Sequence, residues 1–205
     1  MNLPHYPATL RNRDPILSII QQHLPEKGCI LETASGTGEH LTYFAQKYPH
    51  LQWQPSDKND ELFWAIRIRS ENIPNVLPPK VIDVTKTDPT ILNQRYNAIL
   101  NINMIHISPW QACLGFFSLA SRIMKSTGLI YMYGPYKKKD QHTSYSNEVF
   151  DSNLRAQNQE WGVRDMDEVI SVAETNGFYI HQIEPMPANN YSLVFYSKRD
   201  QDTNL

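Results

Sequence analysis

Three carboxylates and one glycine-bearing loop are the residues in this chain whose types and spacing can act together. The run CILET (29–33) carries Glu32 at its end and leads into ASGTGEH (34–40), which holds Gly36 and Gly38. Asp57 closes LQWQPSD (51–57), and Asp83 lies in PKVIDVT (79–85). Each acid follows a run that reads as a β-strand. Parallel pairing of those strands would turn all three acids toward one crevice at the carboxyl ends. The glycines let backbone approach a ligand closely, and carboxylates favour a ligand with positive charge and hydrogen-bond donors.

Two ligand classes compete for such a loop. The dinucleotide fingerprint G-x-G-x-x-G/A sets a pyrophosphate on a helix N-terminus. Gly36 and Gly38 match its first two glycines, but Leu41 occupies the third position and Glu32 would stand beside two phosphates. S-adenosylmethionine has no phosphate and carries a sulfonium and an ammonium group, so it fits the acids better. In that reading Asp57 grips the two ribose hydroxyls, and Asp83 with the backbone of Val84 meets the adenine edge. Taken singly, the residues also have structural readings. Paired glycines occur in ordinary turns, Asp57 can cap a helix starting near Asn59, and Asp83 can open a turn. Glu32, at the end of an apolar strand, has no comparable structural reading and is the discriminating residue.

The elements that must position these groups alternate between strand and helix. Strands are expected at 29–33, 51–57, 79–85, within 96–107, and at 128–135, 178–184 and 191–198, the last two joined by PMPANN. Helices are expected at 14–24 with Pro15 near its start, 38–49, 59–72 with Asn59 as N-cap, 108–125, and 166–177 after Asp165. The expected fold is α/β: a Rossmann-like, doubly wound, mostly parallel seven-stranded sheet with an antiparallel C-terminal strand and helices on both faces. It is expected to form one domain over 1–205. Residues 1–27 would be an N-terminal arm and helix, and 136–164 an insertion or lid after strand five with a short helix following Ser146.

Bulk properties narrow the class. With 205 residues, 40% hydrophobic and 20% charged, the chain suits a folded globule. A net charge of −2 does not match a dedicated nucleic-acid binder, and no nucleic-acid partner is expected. Cys29 and Cys113 are far apart and show neither zinc spacing nor a disulfide framework, so no metal is expected. MNLPHYPATLRNRDP lacks an apolar h-region, and no apolar run approaches the ~20 residues of a membrane helix. The expectation is a soluble, cytoplasmic protein without a membrane partner; its oligomeric state is left open.

LETASGTGEH with WQPSD resembles the motifs of class I S-adenosylmethionine-dependent methyltransferases. More narrowly, RNRDPIL (11–17), ASGTGEH (34–40), NINMIHISPW (101–110), YGPY (133–136), SNEVFDSNLR (146–155), WGVRD (161–165) and MPANNYSLVF (186–195) resemble the methyltransferase-like 26 family, whose substrate is unassigned. The resemblance implies that Glu32, Ala34 and Gly36 line the methionine part of the cofactor. It implies Asp57 for ribose, Asp83 for adenine, and Asn101 as an acceptor near the sulfonium. The family also tolerates alanine at position 34, where many such loops carry glycine.

Methyl transfer is an in-line displacement that depends chiefly on positioning, and a base is needed only for a protonated nucleophile. His106 is the candidate base, or else it packs beneath the next helix. Asn103 is a candidate acceptor for a substrate donor, or else it caps local backbone. Tyr133 and Tyr136 flank Gly134-Pro135 and are candidate pocket walls, Tyr136 being assigned a catalytic role. Arg11 either pairs with the cofactor's carboxylate or is a surface arginine, and the arm that carries it is expected to fold over the cofactor. The leading reading is a methyltransferase acting on an unidentified acceptor, with a small molecule favoured. A catalytically inactive S-adenosylmethionine-binding sensor or partner is the alternative, and a dinucleotide oxidoreductase is disfavoured by Glu32 and Leu41.

Overall fold

The computed structural model describes residues 3–88, 92 and 94–198, so residues 1–2 of the expected arm lie outside the described part. A seven-stranded sheet has the order β3-β2-β1-β4-β5-β10-β9. Its strands are β1 (Gly28–Thr33), β2 (Leu51–Asp57), β3 (Lys80–Val81), β4 (Tyr96–Ile102), β5 (Met124–Gly134), β9 (Phe178–Met186) and β10 (Asn190–Ser197). The pairs from β3 to β5 are parallel, and β10 runs antiparallel to both β5 and β9. The doubly wound sheet with an antiparallel C-terminal strand is therefore present. Its order reverses between β1 and β4, and that is where such sheets bind ligands.

Alternation along the central strands builds two cores. Leu31, Ile99, Ile130 and Met132 face α4 (Trp110–Ile123) and α6 (Met166–Thr175), with Phe116, Phe117 and Phe178 filling the layer. Ile30, Ala98, Leu100 and Tyr131 face α1 (Pro7–Ile20) and α2 (Glu39–Lys47), with Phe44 and Trp53 filling theirs. Successive side chains on a strand point to opposite faces, so a strand buried on both sides reads as one apolar run. α3 (Phe63–Ser70) packs beside α2.

Several boundaries depart from the sequence reading. α1 begins at Pro7, and Pro15 lies inside it; the carbonyl of Arg11 loses its helical partner on an exposed turn, where water can replace it. Asn59 is not the cap of α3. Its Oδ1 accepts from the Glu61 N–H at 3.3 Å in a turn before the helix, whose N-cap is Leu62. β3 is a two-residue edge strand after Pro78-Pro79, and β5 starts four residues early, at Met124. The segment 136–164 forms β6 (Tyr136–Lys138), β7 (Gln141–His142), α5 (Tyr145–Gln157) and β8 (Arg164–Asp165), with β6 central in a small separate sheet. The expected helix there starts ahead of Ser146, at Tyr145, where the Ser144 Oγ accepts from the Asn147 N–H. α6 starts directly after Asp165 as expected, with Asp165 as its N-cap, and ends at Thr175, two residues short of the expected 177.

Candidate functional site

Two hollows meet at the switch between β1 and β4. The first is ≈ 660 Å³ and the second ≈ 570 Å³, and both are lined by Ala34, Ile102, Asn103 and Ile107. The partition is thus the loop after β1 and the turn after β4. Both volumes fall in the usual range for small-molecule sites.

The loop backbone is left-handed at three places. Ala34 has φ 52°, Gly36 φ 53° and Gly38 φ 78°. Gly38 ends the loop as the residue before α2, and a Cβ there would meet Ile66 at 3.0 Å. It lines neither hollow, so its role is to shape the turn. A Cβ on Gly36 would meet nothing within 4 Å; it borders the second lobe. Ala34 adopts a conformation suited to glycine at a cost of about 1–2 kcal/mol, so its position asks for more than a small side chain.

The three acids lie around this partition in different states. Asp57 borders the first lobe, where its Oδ2 accepts from the Gly36 N–H at 3.0 Å and its Oδ1 from the Lys58 N–H at 2.7 Å. It ties β2 to the glycine loop. Asp83 and Val84 border the same lobe; the Asp83 Oδ1 accepts from the backbone and hydroxyl of Thr85, and Lys86 lies 3.6 Å from its Oδ2. Asp83 therefore does open a turn, as well as lining the lobe. Glu32 borders the second lobe, 2% exposed, with its Oε2 buried and unpartnered. Burial pushes its carboxyl up to about 8, aided by the nearby Asp57 charge.

Of the residues expected to do chemistry, Asn103 alone is on the cavity walls. It is left-handed at φ 62°, and its N–H donates to the Tyr133 carbonyl at 2.8 Å. His106 and Tyr136 are fully buried, line neither lobe, and pack edge to face with ring centroids 5.0 Å apart. Burial and the Arg164 charge push His106 down to about 3, so its imidazole is neutral in ordinary buffers. The packing alternative is the one observed for His106, and Tyr136 is a core residue. Asn101 is likewise buried, its amide donating to Thr33 Oγ1 at 3.2 Å beneath the loop. Arg11 is exposed on α1 and lines neither lobe.

The arm itself does cover the second lobe. Tyr6, Thr9 and Asn12 line it, and its start is tied down at Glu39, the first residue of α2. The Glu39 Oε1 lies 2.5 Å from the His5 Nδ1, its Oε2 accepts from the Tyr6 N–H at 3.1 Å, and Arg69 donates to the Pro4 carbonyl at 2.6 Å. Opposite, α5 contributes Asn147 and Phe150, and the 187–190 turn contributes Ala188 and Asn190. Sequence reasoning missed Glu39 and Phe150, and also Trp161 of the first lobe. The acid directly after the glycine loop was a visible signal for Glu39; Phe150 and Trp161 lie in the motifs SNEVFDSNLR and WGVRD, but nothing in those motifs assigned them to a cavity wall.

Solved structures with the same fold include an O-methyltransferase family protein from Burkholderia thailandensis at 12% identity, covering 93% of this chain and 56% of that one, with a TM-score of 0.79. Human N-acetylserotonin methyltransferase in complex with SAM matches at 15% identity over 93% and 52%, with a TM-score of 0.75. The pyocyanin biosynthetic protein PhzM matches at 15% over 93% and 55%, with a TM-score of 0.73. This chain spans little more than half the length of each. Residues 4–197 match one family model throughout, and the chain belongs to that family, described as "Protein of unknown function (DUF938)".

Proposed function

We propose that the protein is an S-adenosylmethionine-dependent methyltransferase of the class I type, acting on a small-molecule acceptor. The observation that carries this reading is Glu32. A buried carboxyl with an unpartnered oxygen at the foot of a glycine loop suits an ammonium group, which would draw it into the ionised form and pair with it, whereas a pyrophosphate would not. The shared fold of the methyltransferases named above supports the same reading, and so do the motifs that resemble the methyltransferase-like 26 family.

The donor set fits this cofactor, which supplies an electrophilic methyl group on a sulfonium. Glu32 would hold the ammonium, Gly36 would leave room for the ligand, and Asp57 would receive the ribose hydroxyls with its remaining lone pairs. Asp83 and Val84, with the apolar walls of Ile82, Met104 and Ala112, suit a flat base in the first lobe. The second lobe then belongs to the methionine portion and the acceptor, with Asn103 between the two. The chain's contribution to the reaction is positioning and exclusion of water by α1 and α5.

Calorimetric titration with S-adenosylmethionine, S-adenosylhomocysteine and nicotinamide dinucleotides tests the proposal. Binding of the first two without the dinucleotides is the expected result. Binding of a dinucleotide alone overturns it.

A further inference from the structure

We propose that the second lobe accepts a flat aromatic or heteroaromatic molecule that is neutral or cationic, and that it discriminates against acceptors bearing a carboxylate or phosphate. This inference rests on the methyltransferase reading. Among the described residues lining the lobe, the acids are Glu32, which burial keeps protonated, and Glu39, which pairs with His5 and Arg69, and neither lysine nor arginine is present. Arg69, which lies 3.7 Å from Glu39, lines a separate hollow of ≈ 140 Å³ on the other side of that carboxylate. The imidazole on the wall, His40, is neutral: burial pushes it down to about 4, and its Nε2 is engaged by Asn12 Oδ1 at 2.7 Å. An acceptor carrying a carboxylate or phosphate would find no lysine or arginine on these walls to offset the loss of its hydration, whereas the cofactor's own carboxylate enters together with its ammonium.

The remaining walls point to the shape of the ligand. Tyr133 comes from the end of β5, Tyr6 from the arm and Phe150 from α5, so three rings from three separate elements border one space. Ring faces favour flat partners and cations. Asn147 adds little competing polarity, because its amide already donates to Thr143 Oγ1 and to the Asn189 carbonyl. Tyr6 and Ile107 line the lobe while remaining 55% and 43% exposed, which leaves apolar surface for a ligand to cover.

Ligand-observed NMR on the full chain saturated with S-adenosylhomocysteine tests this with benzylamine, benzyl alcohol, benzoate and benzyl phosphate. Saturation is checked separately by calorimetry. The amine and alcohol are expected to bind at least about tenfold more tightly than the two anions. Ser146→Arg puts a cation on the exposed first turn of α5 at the lobe's edge and is expected to raise affinity for the anions. Equal or tighter binding of the anions by the unaltered protein, no binding of any probe, or no gain in Ser146→Arg overturns the inference. If S-adenosylhomocysteine itself fails to bind, the methyltransferase reading falls and this inference with it.

Discussion

Glu32→Gln isolates the residue on which the cofactor reading turns. The free carboxyl titrates near 4.5, whereas burial in the folded protein holds it to about 8. Between those values the native state binds one proton more than the unfolded state, so this group makes stability fall as pH rises. The slope approaches ~1.4 kcal/mol per pH unit, and across the whole window the loss is of order 5 kcal/mol as an upper value. Glutamine has the same shape and no titration. Urea denaturation of both proteins from pH 4.5 to 8.5 is expected to show Glu32→Gln gaining steadily on the wild type as pH rises. Subtracting the two curves removes His40 and His106, whose depressed values give slopes of the opposite sign. A cationic ligand must also ionise Glu32 to pair with it. Calorimetry at pH 7 in buffers of different ionisation enthalpy is therefore expected to detect release of most of one proton per S-adenosylmethionine bound by the wild type, and none by Glu32→Gln. Parallel stability curves, or equal proton release by both proteins, would refute the assignment of a buried, protonated Glu32 to the ammonium site.

Ala34→Gly removes left-handed strain but adds chain entropy, for a net gain of about 0.5–1 kcal/mol; an unchanged or lowered melting temperature counts against a strained loop. Gly36→Val places a side chain into the second lobe at φ 53°. It is expected to cost about 1–2 kcal/mol of stability and more than about tenfold in S-adenosylmethionine affinity, and normal affinity would take the loop out of the site. Asp57→Ala removes the acceptor of the part-buried Gly36 N–H and of the exposed Lys58 N–H, at about 0.5–1.5 kcal/mol, and should weaken cofactor binding measured well below its melting temperature. His106→Gln removes a group that is neutral when folded and charges near ~6.5 when unfolded. The wild type loses that contribution as pH falls from 6.5 toward 3, so the variant should have a shallower acid limb while keeping its cofactor affinity. Identical acid limbs would contradict the buried, neutral state.

Much of the site was legible in the sequence because it is local. Glu32 and Asp57 sit at the carboxyl ends of β1 and β2, Ala34 and Gly36 follow in the loop after β1, Asp83 lies just beyond β3, and a parallel sheet brings such ends together whatever the helices do. The sheet class followed for the same reason: strands buried on both faces leave a period that needs no knowledge of their neighbours. Even Ala34 was visible as a departure, although its left-handed backbone is a property of the folded loop.

Tertiary structure decided which polar groups reach the cavity and which are buried. NINMIHISPW offered Asn103 and His106 on equal terms, yet one left-handed residue followed by the short helical turn Met104–His106 leaves Asn103 on the wall and turns His106 into the core against Tyr136. The protonation of Glu32 depends on long-range burial. The second lobe is closed by α1 and α5, which are far apart in the chain, held by Glu39 at one end and by Asn147 against the 187–190 turn at the other. Residue types and periodicity carry local geometry and strand ends, whereas solvent access is set by whatever distant element packs on top, and that exists only once the chain has folded.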